Sequence, residues 1–350
     1  MSEFNLQDQG MITGSSRLVS KDKKFDRIKY ATDHMAHNLA YASFLEINKT
    51  QDNDGKILDD FKKTFLNYRN NWNKIPEDNY NLNTSDYNDP SINFLGPLCV
   101  DIELASICDL ACPHCFREYI LTPDKIMHFN LYKKIIDEIK ALEIPSIKLN
   151  WRGEPLLNSK IEKYIEYAKS NGILEVSINT NATHLTEDMA EKLIKSGLDL
   201  IIYSFDGGTK KTYEKMRPGR FEHNKFEKVY ENIKNFSKIK KKLNSFFPMT
   251  KIQMVLTKET RKEIDNFYEL FNLIVDDVTV TPYSERGGNL EKLKEHQKQT
   301  LLSYLKKNNL PESAPYMIDG NGKIKISKSR KPCYQIFQRL MITYDGRVAM

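Results

Sequence analysis

From residue 99 to residue 281, short β-branched or aromatic runs alternate with stretches whose apolar residues return at three- and four-residue steps. The runs are Cys99–Leu104, Ser146–Trp151, Glu175–Asn179, Asp199–Phe205, Thr250–Leu256 and Asp277–Thr281. Between them lie patterns such as Leu131, Ile135, Ile139 and Leu142, then Ile161, Tyr164, Ile165 and Ala168, the spacing of a helix with one apolar face. Strand-then-helix units in unbroken order predict parallel strands joined by right-handed crossovers. A complete eight-unit barrel needs more chain than this segment offers, so the expected class is α/β with a partial (β/α)6 barrel. Functional groups of such folds gather on the loops after the C-terminal strand ends.

The flanks read differently. Residues 1–20 lack periodicity and are expected to form a disordered start. Residues 21–95 read as a helical N-terminal region and linker, with helices over Phe25–Ile47 and Ile57–Trp72 and an Asn-, Asp-, Ser- and Pro-rich surface linker over Pro76–Asn93. The barrel takes residues 96–289. Residues 290–350 read as a Lys-rich helical connection to Leu310, a loop, and the beginning of a β-hairpin over Gln338–Met350 around Asp345–Gly346.

Of 350 residues, 40% are apolar and 29% charged, enough to bury a core and too apolar for a wholly disordered chain. The 53 Lys and Arg against 47 Asp and Glu leave +6, with the lysines scattered, so no nucleic-acid partner is implied. No stretch approaches the roughly 18 apolar residues of a membrane span, and the start has no apolar signal core. A cytoplasmic protein without a membrane partner is the expectation.

Three of the five cysteines, Cys108, Cys112 and Cys115, fall in one loop directly after the first strand. A disulfide framework spaces an even number more widely, and a zinc site wants a second distant knuckle that is absent here. A 4Fe-4S cube accepts four thiolates, so three leave one iron open to a substrate or cofactor. His114 lies between two ligating positions, where its ring points away from the cube more readily than onto it.

The CDLACPHC loop resembles the CxxxCxφC signature of the radical S-adenosylmethionine (radical SAM) superfamily, with His114 at the usually aromatic φ position. The resemblance implies a 4Fe-4S cluster held by Cys108, Cys112 and Cys115. Its open iron chelates S-adenosylmethionine (SAM), and reductive cleavage yields a 5′-deoxyadenosyl radical. It also implies an electron donor such as flavodoxin or ferredoxin. Gly153-Glu154-Pro155 after the second strand is similar to the family's GGEP turn, whose backbone carbonyls receive the methionyl ammonium; Arg152 replaces the first glycine. Asn179-Thr180-Asn181-Ala182 resembles the TNG turn, and Ser204 and Asp206 end the fourth strand, where relatives contact the ribose and methionyl carboxylate; a plain turn and helix cap is the alternative. Tyr213–Gly219 looks like a segment of the same branch, in which Arg217 pairs with a carboxylate or stays solvated. Tyr283, Ser284, Glu285 and Arg286 follow the sixth strand and are candidate substrate contacts, or an ordinary polar loop.

Cys333, twelve residues, then Gly346 resembles the start of the SPASM/twitch extension, which binds auxiliary iron-sulfur clusters. The resemblance implies a chain that stops one residue short of the next ligand, with an auxiliary cluster only in a longer chain; a lone buried cysteine is the alternative. Cys99 reads as core. The expected function is hydrogen abstraction from an organic substrate. The resemblance of Phe65–Trp72 and of the PLCVDIELASICDLACPHCF stretch to proteins of surface-polysaccharide synthesis favours a sugar or small metabolite. The alternatives are a peptide- or protein-modifying maturase, an RNA-modifying enzyme relying on Lys238–Lys242, and a non-catalytic iron-sulfur or zinc module.

Overall fold

A computed structural model describes residues 18–19, 32, 54–81, 97–115, 117, 122–282, 316–318, 324–326 and 334–349. Its nine-stranded sheet begins at one edge with β1 (Leu18–Val19), antiparallel to β7 (Asp277–Pro282). Then follow in spatial order β6 (Met249–Leu256), β5 (Leu200–Ser204), β4 (Glu175–Thr180), β3 (Ser146–Lys148) and β2 (Cys99–Ile102), all parallel, so each of the six strand runs forms a strand in the expected direction. The sheet is not closed, as expected of a partial barrel.

The crossover helices are α2 (Phe129–Ala141), α3 (Ile161–Ser170), α4 (Glu187–Lys195), α5 (Lys210–Met216), α6 (Phe226–Lys242) and α7 (Ile264–Phe271). Helix α4 shows why such a segment coils: Thr186 caps it by accepting from Met189 N, acids fill its first turn, Lys192 and Lys195 its last, and Met189, Ala190, Leu193 and Ile194 form one buried stripe. The strands supply the other half of the core. Val100, Ile147, Ile178, Ile201, Ile252 and Val280 alternate onto the helix-covered face and join one hydrophobic cluster. The residues alternating with these, among them Asp101, Lys148, Asn179, Ser204, Gln253 and Thr281, belong to the opposite, concave face, which is polar towards the C-terminal strand ends.

Helix α1 (Asp54–Asn81) closes the N-terminal end of the strands. Phe65, Tyr68 and Ile75 bury against Leu98, Leu200 and Met249, residues at or just before strand starts. The Tyr68 hydroxyl donates to Glu175 Oε2 at 2.9 Å and lies 3.0 Å from Ser146 Oγ, which donates to the Leu98 carbonyl. A linker is expected from Pro76, but the helix runs through Pro76 to Asn81, with Ile75 and Pro76 both buried, and residues 82–93 lie outside the described residues. Tertiary burial here outweighs the lost backbone donor.

The C-terminal hairpin exists, with β10 (Arg339–Ile342) antiparallel to β11 (Val348–Ala349) after the short α8 (Gln335–Gln338), and β10 also extends the sheet parallel to β2. Gln338 Nε2 donates to the Trp72 carbonyl at 2.6 Å, fastening this edge to α1. Within the stretch expected to be a loop, β8 (Tyr316–Ile318) and β9 (Ile324–Ile326) pair antiparallel; the intervening Asp319-Gly320-Asn321-Gly322 is a hairpin signal. Leu18 and Val19, likewise, pair although they fall in the aperiodic start. Apart from Thr32, the helix expected over Phe25–Ile47 lies outside the described residues, as do the Lys-rich helix before Leu310, Cys333, and the substrate candidates Tyr283, Glu285 and Arg286. Among the described residues, no helix is long and apolar enough to cross a membrane.

Candidate functional site

The three cysteines follow the C-terminal end of β2, at the rim opposite α1. Their loop is pinned by a segment far away in sequence: Ala111 N donates to the Pro218 carbonyl at 2.9 Å and Arg220 N to the Asp109 carbonyl at 2.7 Å. Gly219, bridged to Leu110, turns so tightly that a Cβ would meet the Glu222 carbonyl oxygen at 1.6 Å. The Tyr213–Gly219 segment thus serves the cysteine loop. Cys115 N donates to the Cys112 carbonyl at 2.9 Å, closing the turn between the last two thiols.

Burial pushes the Cys112 thiol up to about 12 and raises Cys108 further, and neighbouring cysteines add to each shift. Thiolates form in such surroundings only when a cation compensates them, the chemistry of a metal-binding donor set. Among the described residues, no group of three or more His, Cys, Asp and Glu side chains converges as around a single ion. A cube instead gives each thiolate its own iron.

Gly153 adopts φ +71°, and a Cβ there would meet the Ala105 and Ile107 carbonyl oxygens at 2.2 and 2.5 Å. Only glycine lets the turn after β3 lie against the segment that leads from β2 into the cysteine loop. Glu154 N then donates to the Ile107 carbonyl at 2.8 Å. The Glu154 side chain turns inward: it accepts from Leu156 N at 3.0 Å, Thr180 Oγ1 at 2.7 Å and Asn181 N at 2.7 Å, locking this turn to the end of β4. Burial pushes its carboxyl up to about 7, against the pull of those donors. Pro155 starts a short 3-10 helix. Arg152, in place of the family's first glycine, forms a bidentate pair with the fully buried Glu103 at 2.6 and 2.8 Å and stacks 4.3 Å from the Trp151 ring.

In the third turn Ala182 has φ +60°, the conformation for which the related TNG turn supplies glycine. Asn181 donates from Nδ2 to Asp109 Oδ1 at 2.7 Å, so a predicted cofactor residue is joined to the cysteine loop itself. Asn179 Oδ1 is buried without a hydrogen-bond partner. Ser204, on the concave side, lies opposite Gln253 in the neighbouring strand.

Asp206 and Arg217, both expected at the cofactor, pair with each other. Asp206 is fully buried, and its Oδ2 accepts from Arg217 Nε at 2.7 Å and Nη2 at 2.6 Å while Oδ1 accepts from Val255 N at 2.7 Å. Burial alone would raise its pKa, but Arg217 and His114 hold it at about 2. His114 Nε2 lies 3.2 Å from the same Oδ2, and its Nδ1 is buried without a partner. The sequence reading missed Asp109, Arg152 with Glu103, Arg220, and Glu263, whose carboxylate accepts from Gly208 N, Thr209 N and Thr212 Oγ1 beside the β5 end. Polar composition marks such residues, but their partners lie on other strands.

The residues fit a 4Fe-4S cluster with SAM: three thiols on one loop, a glycine that admits only bare backbone, and two orphaned buried polar atoms, His114 Nδ1 and Asn179 Oδ1. Residues 102–271 match the Radical SAM superfamily. A tungsten-containing aldehyde ferredoxin oxidoreductase cofactor-modifying protein of Pyrococcus furiosus is 28% identical over 51% of this chain and 50% of its own length. Mycofactocin maturase MftC of Mycolicibacterium smegmatis is 26% identical over 50% of this chain and 41% of its own length. The chain thus spans about half the length, or less, of these curated relatives. SuiB of Streptococcus suis, solved bound to S-adenosylmethionine, shares the fold with a TM-score of 0.52 at 17% identity, over 91% of this chain and 70% of that one. Residues 102–271 thus carry the likeness to the radical SAM superfamily, whose cofactors are a 4Fe-4S cluster and S-adenosylmethionine.

Proposed function

We propose that this protein abstracts hydrogen from a polar organic substrate, a sugar or small metabolite of surface-polysaccharide synthesis, using an electron from a flavodoxin or ferredoxin. The carrying observation is the cysteine loop, fastened by Gly153, by Asp109 with Asn181, and by Pro218, above a concave sheet face lined with Asp101, Lys148, Asn179, Ser204 and Gln253. Such a face offers donors and acceptors to hydroxyl or amino groups. When bound, the cluster and SAM supply reductive cleavage and hydrogen-atom abstraction. The chain's own part is positional: Cys108, Cys112 and Cys115 hold the cluster, the Gly153–Pro155 backbone and Asn179 orient the cofactor, and Asp206 fixes the His114 ring. Tyr283, Glu285 and Arg286, directly after β7, are proposed to touch the substrate.

A second reading, a peptide- or protein-modifying maturase, is favoured by the mycofactocin maturase among the relatives. An RNA substrate is less well supported. Lys238–Lys242 close α6 just before β6, at the end of the sheet away from the cysteines, and Lys240 is engaged by Asp276 at 3.0 Å. Anaerobically reconstituted, reduced protein should release 5′-deoxyadenosine, and release should rise with a nucleotide-activated sugar. A rise only with a precursor peptide would favour the second reading. No SAM cleavage from an iron-loaded sample would overturn both.

A further inference from the structure

Asp109 follows Cys108 directly, and its carboxylate meets donors from another strand end. Oδ1 accepts from Asn181 Nδ2 at 2.7 Å, and Oδ2 lies 2.6 Å from Thr183 Oγ1 and 3.5 Å from His184 Nε2. The Thr183 hydroxyl also lies 2.8 Å from Asn181 Oδ1, but its single proton favours the closer, charged acceptor. Oδ1 is 4.0 Å from Cys108 Sγ, and the side chain is only 16% exposed, so water screens its charge weakly. The backbone of the same residue is held as well, its carbonyl accepting from Arg220 N at 2.7 Å.

We propose that Asp109 is a positioning residue that fastens the cysteine loop to the turn after β4 and places a negative charge beside Cys108, keeping the cluster's reduction potential low. The proposal rests on the cluster reading of the three cysteines. Adding an electron next to a fixed anion is disfavoured, and charge and hydrogen bonds near the ligating sulfurs are levers on cluster potential. Asn181 and Thr183 draw part of that charge away, so the same turn that carries the orphaned Asn179 also meters the field at Cys108.

The test is an EPR-monitored redox titration of anaerobically reconstituted protein, with iron content and SAM affinity measured alongside. Asp109→Asn keeps the side chain's shape and one acceptor while removing the charge, so the midpoint should move to more positive potential with iron content near wild type. Thr183→Val keeps the charge but removes a donor to it, so the midpoint should move the opposite way. A loosened loop would shift both variants alike, and like shifts or an unmoved Asp109→Asn midpoint would overturn the proposal. Should Asp109→Asn fail to fold, Thr183→Val alone decides: a midpoint unmoved or more positive overturns it. If wild-type protein takes up no cluster, the radical SAM reading falls and this proposal with it. If wild type loads and cleaves SAM while the opposed shifts are missing, only the role of Asp109 falls.

Discussion

Gly153 does two jobs that a side chain would end together. Its φ of +71° is costly for any residue with a Cβ, and that Cβ would strike the Ala105 and Ile107 carbonyls ahead of Cys108. Gly153→Ala should therefore lose iron and SAM binding together and destabilise the fold by about 1–3 kcal/mol. Gly172→Ala, at φ +86° with nothing within 4 Å, should cost about 1 kcal/mol and keep full iron content. Urea unfolding with iron analysis separates them. Each of Cys108→Ala, Cys112→Ala and Cys115→Ala should abolish 5′-deoxyadenosine release, because two thiolates do not hold a cube with its fourth iron open; chromatography of the quenched reaction checks this. Glu154 carries a pH signature. Its carboxyl, raised by burial from 4.5 to about 7, binds a proton more tightly folded than unfolded. That stabilisation is full below about pH 4.5 and is lost as pH rises to about 7, a span worth roughly 3 kcal/mol. Unfolding free energies of wild type relative to Glu154→Gln should fall over that window and level off above it.

At the scale of elements, α1 is a plug for the barrel's closed end, joined to the strand starts by both apolar contact and the Tyr68 hydroxyl. Tyr68→Phe leaves Glu175 short of one donor in a buried place, a loss of about 1–3 kcal/mol. Chemical unfolding should show that loss, while 5′-deoxyadenosine release per folded molecule stays unchanged, because the cysteine loop lies at the opposite rim. A fall in turnover equal to the fall in stability would argue that α1 reaches the site. The β5 and β6 ends are coupled through Glu263, and the β2, β3 and β4 ends through Gly153, Glu154 and Asp109, so the rim behaves as a set of loops clamped to one another.

For the whole molecule, one cluster is the expected load of this chain. A thiolate at Cys333 cannot hold a cube alone, so the chain should bind about four irons, and Cys333→Ser should leave that number unchanged. Iron and sulfide analysis of both forms decides it, and a second cluster lost on Cys333→Ser would overturn the expectation.

Alternation of apolar runs and the cysteine spacing determined the parallel order of β2 to β7 and where the cluster loop falls, since strand periodicity and crossover handedness are local properties of the chain. The hairpin at Asp345–Gly346 was legible for the same reason: its conformation is set by residues within the turn. What a carboxylate meets is not local. Asp206 is read at a strand end and pairs with Arg217 from a later segment, and Asp109, which the spacing of the cysteines does not single out, joins Asn181, because burial forces each charge to find donors wherever the fold brings them. Pro76 likewise signals a helix end, yet α1 continues to Asn81 with Pro76 itself buried. The pairing of β10 with β2 and the seating of α1 under the strands were decided only in three dimensions, where apolar area from distant segments is buried together and outweighs local preference.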